Sequence, residues 1–492
     1  MRLTPLLAGA ALLVPTAPPA TADTLREALT RAYRTNPTLT AERANVRAND
    51  ENVPIAAAAG RPESNVTSRY EENILNSPGV QNSFTAPGRQ VISQIGFSVP
   101  LLTFGAVRGQ VRAAERRAAA GRLNLRGVEA DLFTQVVGAY MDVIRDDAIV
   151  ALNIRNVQVL EVNLRANADR YEAGDASPTD VAQSRGRLAL ARSELQTARA
   201  RLVASRETYV RLVGSAPGTL ADPPTLPNLP RDVATAVTIA LRDNPNLLAA
   251  QENSQAAVQD IRVAAAGRLP RLNAVANGSY YDYLGSIRGN PFTRTYQASS
   301  TASVGLELRV PLLQGGRTSA QIRQAQARHG QAAEQVLEAE RAVVAQVRSA
   351  FAGWQAAEEV IATARTGVEA NRQSLEGVRA ENQMGARTIL DLLNAEQELL
   401  NAEVTLVTAR RDAYVAGFAL LAAMGKAEAR DLGLDGGALY DPMAHYDRVR
   451  NRSYDFAIDH EPPVEATPTV AVPVQDATVT RPLGPPAPVV PR

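Results

Sequence analysis

The sequence contains no cysteine. That absence excludes a disulfide framework and a lipid-bearing cysteine behind an export signal, so any attachment to a membrane has to come from the fold itself. Histidine is scarce as well: His329, His445 and His460 are the three, and their spacing matches no metal-ligand pattern. There is no G-x-S-x-G elbow, and Gly425-Lys426-Ala427 lacks both the upstream glycine and the following Ser or Thr of a phosphate loop. No enzyme is expected, and no cofactor or metal. Lysine plus arginine (52) balances aspartate plus glutamate (51), without the basic excess of a nucleic-acid binder. Beyond the N-terminus no run of about 18 apolar residues occurs, so no membrane-spanning helix is expected. If this chain enters a bilayer, it does so with strands.

What is present begins with an export signal. Residues 1–22 carry Arg2, an apolar stretch over 6–14, and Ala20 and Ala22 at the spacing a signal peptidase cuts. Pro15, Pro18 and Pro19 would break a buried helix there. The mature chain is predicted to start at Asp23.

An internal repeat organises the rest. Asn36-Pro37 returns as Asn244-Pro245, and Val99-Pro100-Leu101-Leu102 returns as Val310-Pro311-Leu312-Leu313. Pro100, Gly174, Asp180 and Gly214 each have a like residue 211 positions on, at Pro311, Gly385, Asp391 and Gly425. A period this long is duplication of a domain-sized unit rather than a solenoid repeat. The expected units are 23–220 and 232–430, joined by a linker over 221–231 and followed by an irregular, equatorial segment over 431–454. Each unit predicts an opening helix (24–58 and 232–266), two strands, a long helix (105–173 and 316–384), a glycine break and a shorter helix (178–213 and 388–424).

The long helices rest on apolar stripes spaced three, four or seven apart, such as Leu125, Leu132, Val136 and Val143 in the first and Val343, Val347, Phe351 and Trp354 in the second. With Arg, Glu and Gln interleaved, these predict coiled-coil-like antiparallel packing. At about 1.5 Å per residue a helix over 105–173 is roughly 100 Å long, far beyond a compact domain. Two shorter helices stacked end to end reach the same length, so each unit offers two parallel rods.

Over 301–310, Ala302, Val304, Leu306, Leu308 and Val310 alternate with Thr301, Ser303, Gly305, Glu307 and Arg309. Val91, Ile95, Phe97 and Val99 alternate in the matching place, with weaker partner runs at 65–70 and 272–283 and polar hairpin loops at 76–89 and 285–294. Such strands suit a membrane barrel with a wet lumen or a half-buried soluble sheet. Four strands per chain cannot close a barrel, so a membrane reading requires several chains to pool strands. Tyr70, Phe84, Phe97, Phe104, Tyr280, Tyr281, Tyr283, Phe292 and Tyr296 lie in or beside these segments, as interfacial girdles or as core. Residues 455–492 are Pro-rich and aperiodic, which predicts a disordered tail that assembly does not need.

The duplicated Asn-Pro helices, the Val-Pro-Leu-Leu junctions at Pro100 and Pro311, Gly315-Gly316-Arg317, and Gly385-Ala386-Arg387-Thr388-Ile389-Leu390-Asp391 together resemble the TolC-like outer-membrane efflux protein family, over residues 23 to about 430. The opening helix is most similar to the branch serving type I protein secretion. The resemblance implies a fold of membrane β-barrel plus all-α tunnel, built as a homotrimer with a 12-stranded barrel in outer-membrane lipid and a 12-rod periplasmic tunnel. It implies passive exit of substrates from an inner-membrane transporter (ABC or RND) through a periplasmic adaptor (membrane fusion) protein, with the tip turns at Gly174 and Gly385 meeting that adaptor. At the tip, Ser177-Pro178-Thr179-Asp180 and Thr388 with Asp391 read first as helix caps. The resemblance adds a gate in which Arg387 bonds Thr179 near Asp180 and Asp391 from each chain narrows the pore. Asn382 and Asn394 stand where the family's closing tyrosine and second ring aspartate are expected, which predicts a less tightly latched, less cation-selective gate. The alternative is a soluble periplasmic coiled-coil adaptor or structural protein, which shares long helical hairpins but not the duplicated unit.

Overall fold

The computed structural model describes residues 23–74, 87–287, 294–434, 439–460 and 463–481. The predicted signal (1–22), much of both hairpin loops, including Phe84 and Phe292, and the end of the tail lie outside the described residues.

The two units follow one order. The first comprises α1 (Leu25–Thr35), α2 (Pro37–Ala58), β1 (Glu63–Glu72), β2 (Arg89–Leu102), α3 (Ala106–Glu172) and α4 (Pro178–Val213). The second comprises α5 (Val233–Asp243), α6 (Pro245–Ala266), β3 (Arg271–Asp282), β4 (Ala298–Arg309), α7 (Arg317–Gln383) and α8 (Ile389–Ala423). A short α9 (Ala444–Val449) then packs on α2. The 221–231 stretch has no regular structure.

The single opening helices expected over 24–58 and 232–266 are each two helices. The break falls at Asn36 and Asn244, whose extended backbone (ψ 126° and 121°) ends one helix and caps the next. Asn36 Oδ1 accepts the Thr38 amide at 2.9 Å, while its Nδ2 donates 2.9 Å to the Leu212 carbonyl in the last turn of α4. Asn244 repeats the arrangement, accepting from Asn246 and donating 2.9 Å to the Ala423 carbonyl at the end of α8. Proline follows at the first helical position, where a missing N–H costs nothing. One asparagine thus satisfies orphan groups of two helix ends at once. It is the joint at which α4 meets α2, and α8 meets α6, to make the stacked rods.

The long helices α3 and α7 are each 67 residues, roughly 100 Å at about 1.5 Å per residue. The predicted stripes are the buried ones: Leu125, Leu132, Val136 and Val143 in α3, and Val343, Val347 and Phe351 in α7. Helix α3 packs against α1, α2, α4, α6 and α8, so both units share one core around Phe133, Tyr140, Tyr209 and Phe418. Helix α7 packs against α5, α6 and α8 and leaves more of its surface open.

The strands form one antiparallel sheet in the order β1-β2-β3-β4. Its register sorts the faces. One face carries the rows Val66/Ile95/Gly278/Ala302 and Ser64/Phe97/Ala276/Val304, continuing through Val99/Ala274/Leu306. The other carries Thr67/Gln94/Ser279/Thr301 and Asn65/Gly96/Asn277/Ser303. Among the described residues nothing covers the apolar face: Val304 is 89% and Leu306 69% exposed. Tyr70, Phe97, Phe104, Tyr280 and Tyr296 are exposed too, so the core reading fails for them within one chain. Pro100 lies inside β2 beside a register shift, whereas Pro311 lies past the end of β4, so the two repeated junctions differ in detail.

The tail departs from expectation. Residues 475–481 take no regular secondary structure, yet they are bonded onto α3 and α4 through Asp147, Arg206 and Glu207.

Candidate gate at the helical tip

Each unit turns at its far end through the same backbone device. Gly174 (φ 85°) and Gly385 (φ 78°) occupy the left-handed region that favours glycine. The amides of Gly174 and Asp175 donate to the carbonyls of Tyr171 and Arg170, and those of Gly385 and Ala386 donate to Asn382 and Glu381. These are paired Schellman closures. Each following helix opens with a capping box. Ser177 Oγ accepts the Asp180 amide at 3.2 Å, and the Asp180 carboxylate accepts the Ser177 amide at 3.0 Å. Thr388 and Asp391 make the same pair at 3.3 and 3.1 Å. The Ser177 amide, then its hydroxyl, holds Asp180 below the usual carboxylate range. For Asp391 the Thr388 hydroxyl acts first and its amide second. Both carboxylates are committed as caps and stay ionised at neutral pH.

Arg387 is not brought to Thr179 or Asp180 within the chain. Its Nε donates 2.8 Å to Glu381 Oε2 across its own turn, and Asn382 Nδ2 closes the same turn on the Arg387 carbonyl at 2.8 Å. The partner it takes is local: Glu381 lies across the same turn, six residues before Arg387. Asn394 accepts 2.7 Å from Arg187 and so joins α8 to α4.

Above the tip, polar groups stitch the two units together. Glu396, only 7% exposed, accepts both 3.1 and 2.9 Å contacts from Asn163 Nδ2 on α3 and lies 3.6 Å from Arg379 on α7. Burial pushes its carboxyl up; Asn163 and Arg379 oppose that. One hairpin step higher, Glu403 lies between Arg372 and Arg155 at 3.8 and 4.0 Å. Glu381, Glu396, Asn163 and Arg379 are absent from the sequence reading. The pairs within one hairpin were legible in principle, because residues equidistant from an antiparallel turn face each other, as 379 and 396, and 372 and 403, do about the Arg387–Thr388 bond. The α3 to α8 contacts carry no such arithmetic.

The family model for outer membrane efflux proteins matches residues 28–215 and 236–426, one stretch in each of the two repeats. The chain belongs to the outer membrane efflux protein family. It is similar to the outer membrane efflux protein BepC of Brucella suis biovar 1, 35% identical over 91% of this chain and 95% of that protein. It is similar also to the alkaline protease secretion protein AprF of Pseudomonas aeruginosa, 28% identical over 67% of this chain and 68% of that one. Among solved structures, the outer membrane protein VceC of Vibrio cholerae superposes with a TM-score of 0.68 at 22% identity, covering 82% of this chain and 96% of that chain. As an outer membrane efflux protein the chain is a channel of the cell outer membrane with its helical tunnel in the periplasm, not an enzyme, and the soluble-adaptor alternative is not favoured.

Proposed function

We propose that three copies of this efflux protein pool their strands into a 12-stranded barrel and their rods into a tunnel, forming the exit duct of a tripartite exporter. An inner-membrane transporter of ABC or RND type feeds it through a periplasmic adaptor that meets the tip turns at Gly174 and Gly385. The observation that carries this reading is the sheet: four strands of 10 to 14 residues with a mainly apolar band on one face and, among the described residues, two unpaired edges, β1 and β4. Strands of that length span a bilayer, and in lipid an open edge leaves backbone groups unsatisfied. Pairing β4 of one copy with β1 of the next removes every edge. The cargo is a secreted protein or an effluxed small molecule; the relatives' names speak of protease secretion for AprF and of efflux for BepC.

In this assembly three copies of Asp391 ring the tip, and the Arg387–Glu381 pair braces the turn beneath them. Detergent-extracted protein should have the mass of a trimer; a stable monomer refutes the assembly. In single-channel recordings Arg387→Ser should raise conductance by releasing Glu381, and Asp391→Ala should lower cation preference. Unchanged currents in both leave capping as the whole role of these residues.

A further inference from the structure

The C-terminal segment is held in a way its composition conceals. Asp147 on α3 and Arg206 on α4 are 4% and 5% exposed and lie 3.3 Å apart. A buried ion pair is costly unless its remaining lone pairs and protons are also satisfied. Here the satisfying groups are main-chain atoms of the tail, with Arg206 Nε left without a partner among the described residues. Asp147 accepts the consecutive amides of Thr480 (3.0 Å) and Arg481 (3.2 Å), one on each oxygen. Arg206 donates 2.8 Å to the Asp476 carbonyl and 2.7 Å to the Thr478 carbonyl, with a further 3.1 Å contact to the Asp476 carboxylate. Glu207 accepts the Gln475 amide at 3.1 Å, and Arg481 pairs with Asp222 at 2.7 Å. The acid reads the amides of Thr480 and Arg481, and the base reads the carbonyls of Asp476 and Thr478. Val479 packs on the hydrophobic core between them.

We propose that Asp147, Arg206 and Glu207 form a peptide-binding site that recognises main-chain groups, with Asp222 adding one side-chain pair to Arg481, and that its ligand is the chain's own segment 475–481. Recognition through the backbone is nearly blind to side chains, which is why an aperiodic, Pro-rich composition hides a docked element. The same geometry makes the amides, not the threonine and alanine side chains, the determinants of docking.

The absence of native cysteine makes a direct test available. Val479→Cys and, as an exposed reference, Val470→Cys (Val470 is 97% exposed) are placed singly in the full-length channel, and their maleimide labelling rates are compared in detergent. Position 479 should label about tenfold or more slowly than 470, since Val479 is partly buried against the core while the segment is docked. Adding Thr480→Pro, which deletes one amide held by Asp147, should bring the two rates within about twofold, whereas Thr480→Ala, which keeps that amide, should leave 479 slow. Asp147→Asn, which removes the carboxylate from the receptor side, should release the segment as Thr480→Pro does. Equal rates at 479 and 470 in the unaltered tail overturn the proposal. So does labelling that stays slow with either Thr480→Pro or Asp147→Asn, and so does release by Thr480→Ala as complete as by Thr480→Pro.

Discussion

Removing the asparagine at either rod joint should cost more than a helix cap alone. In Asn36→Ala the N-cap acceptor for Thr38 disappears, worth about 1 kcal/mol, and the Leu212 carbonyl loses its donor. Asn36 is 5% exposed, so water does not replace that donor freely, and an orphaned buried carbonyl costs about 1–3 kcal/mol. The expected loss is therefore about 2–4 kcal/mol per joint, and the same at Asn244, which is 4% exposed. Asn36→Asp separates the two contributions. It keeps the cap acceptor at a helix N-terminus, where negative charge is favourable, but it aims a carboxylate oxygen at the Leu212 carbonyl, so it should be no milder than alanine. Asn36→Ser, which can cap without reaching α4, should fall between wild type and alanine. Denaturant unfolding of the purified channel, followed by helical circular dichroism, measures each. The double Asn36→Ala/Asn244→Ala variant should be additive, because the two joints share no partner. A loss under about 0.5 kcal/mol for both alanine variants, or an aspartate clearly milder than alanine, refutes the reading of this residue as a two-ended joint.

The repeat-related glycines should respond unequally: a Cβ at Gly425 (φ 71°) would stand 2.5 Å from the Asp243 carbonyl oxygen, whereas at Gly214 (φ 85°) its nearest neighbours are 3.4 Å away. Gly425→Ala should abolish correct folding or cost more than about 3 kcal/mol, against about 1–2 for Gly214→Ala, as expression and thermal unfolding would show. Glu396→Ala should free α3 from α7 and α8 above the tip, raising single-channel conductance and lowering stability by about 1–3 kcal/mol, since Arg379 remains partly solvated; unchanged conductance means the stitch does not restrain the gate. Glu129 accepts the Ala429 amide, and burial, chiefly, raises its carboxyl from 4.5 to about 7. Over that interval the folded chain holds a proton that the unfolded chain has released, so this group's contribution to stability falls as pH rises from 4.5 to about 7 and then levels. Glu129→Gln keeps an acceptor for Ala429 and should remove that slope, stabilising the protein at pH 8 by on the order of 1–3 kcal/mol; unfolding midpoints at pH 5 and pH 8 check it.

Much of the architecture is written in short-range pattern. The 211-residue register fixes the duplication, the stripes through Leu125–Val143 and Val343–Phe351 dictate which helix faces are buried, and Gly174 and Gly385 dictate where each hairpin turns, because only a left-handed residue closes those helix ends. The capping boxes at Ser177 and Thr388 are equally local, which is why they are found as written. What the tertiary structure decided is whatever depends on partners distant along the chain. Asn36-Pro37 is by itself a helix-break signal, because proline disfavours a helical backbone at the residue before it; what only the tertiary structure shows is that the Asn36 side chain also reaches Leu212, 176 residues away. Arg387 pairs with Glu381 across its own turn rather than with Thr179 on the other hairpin, and composition cannot express that choice. The tail docks through amides and carbonyls, which every sequence possesses, so only the placement of Asp147 beside Arg206 makes the segment over 475–481 part of the fold.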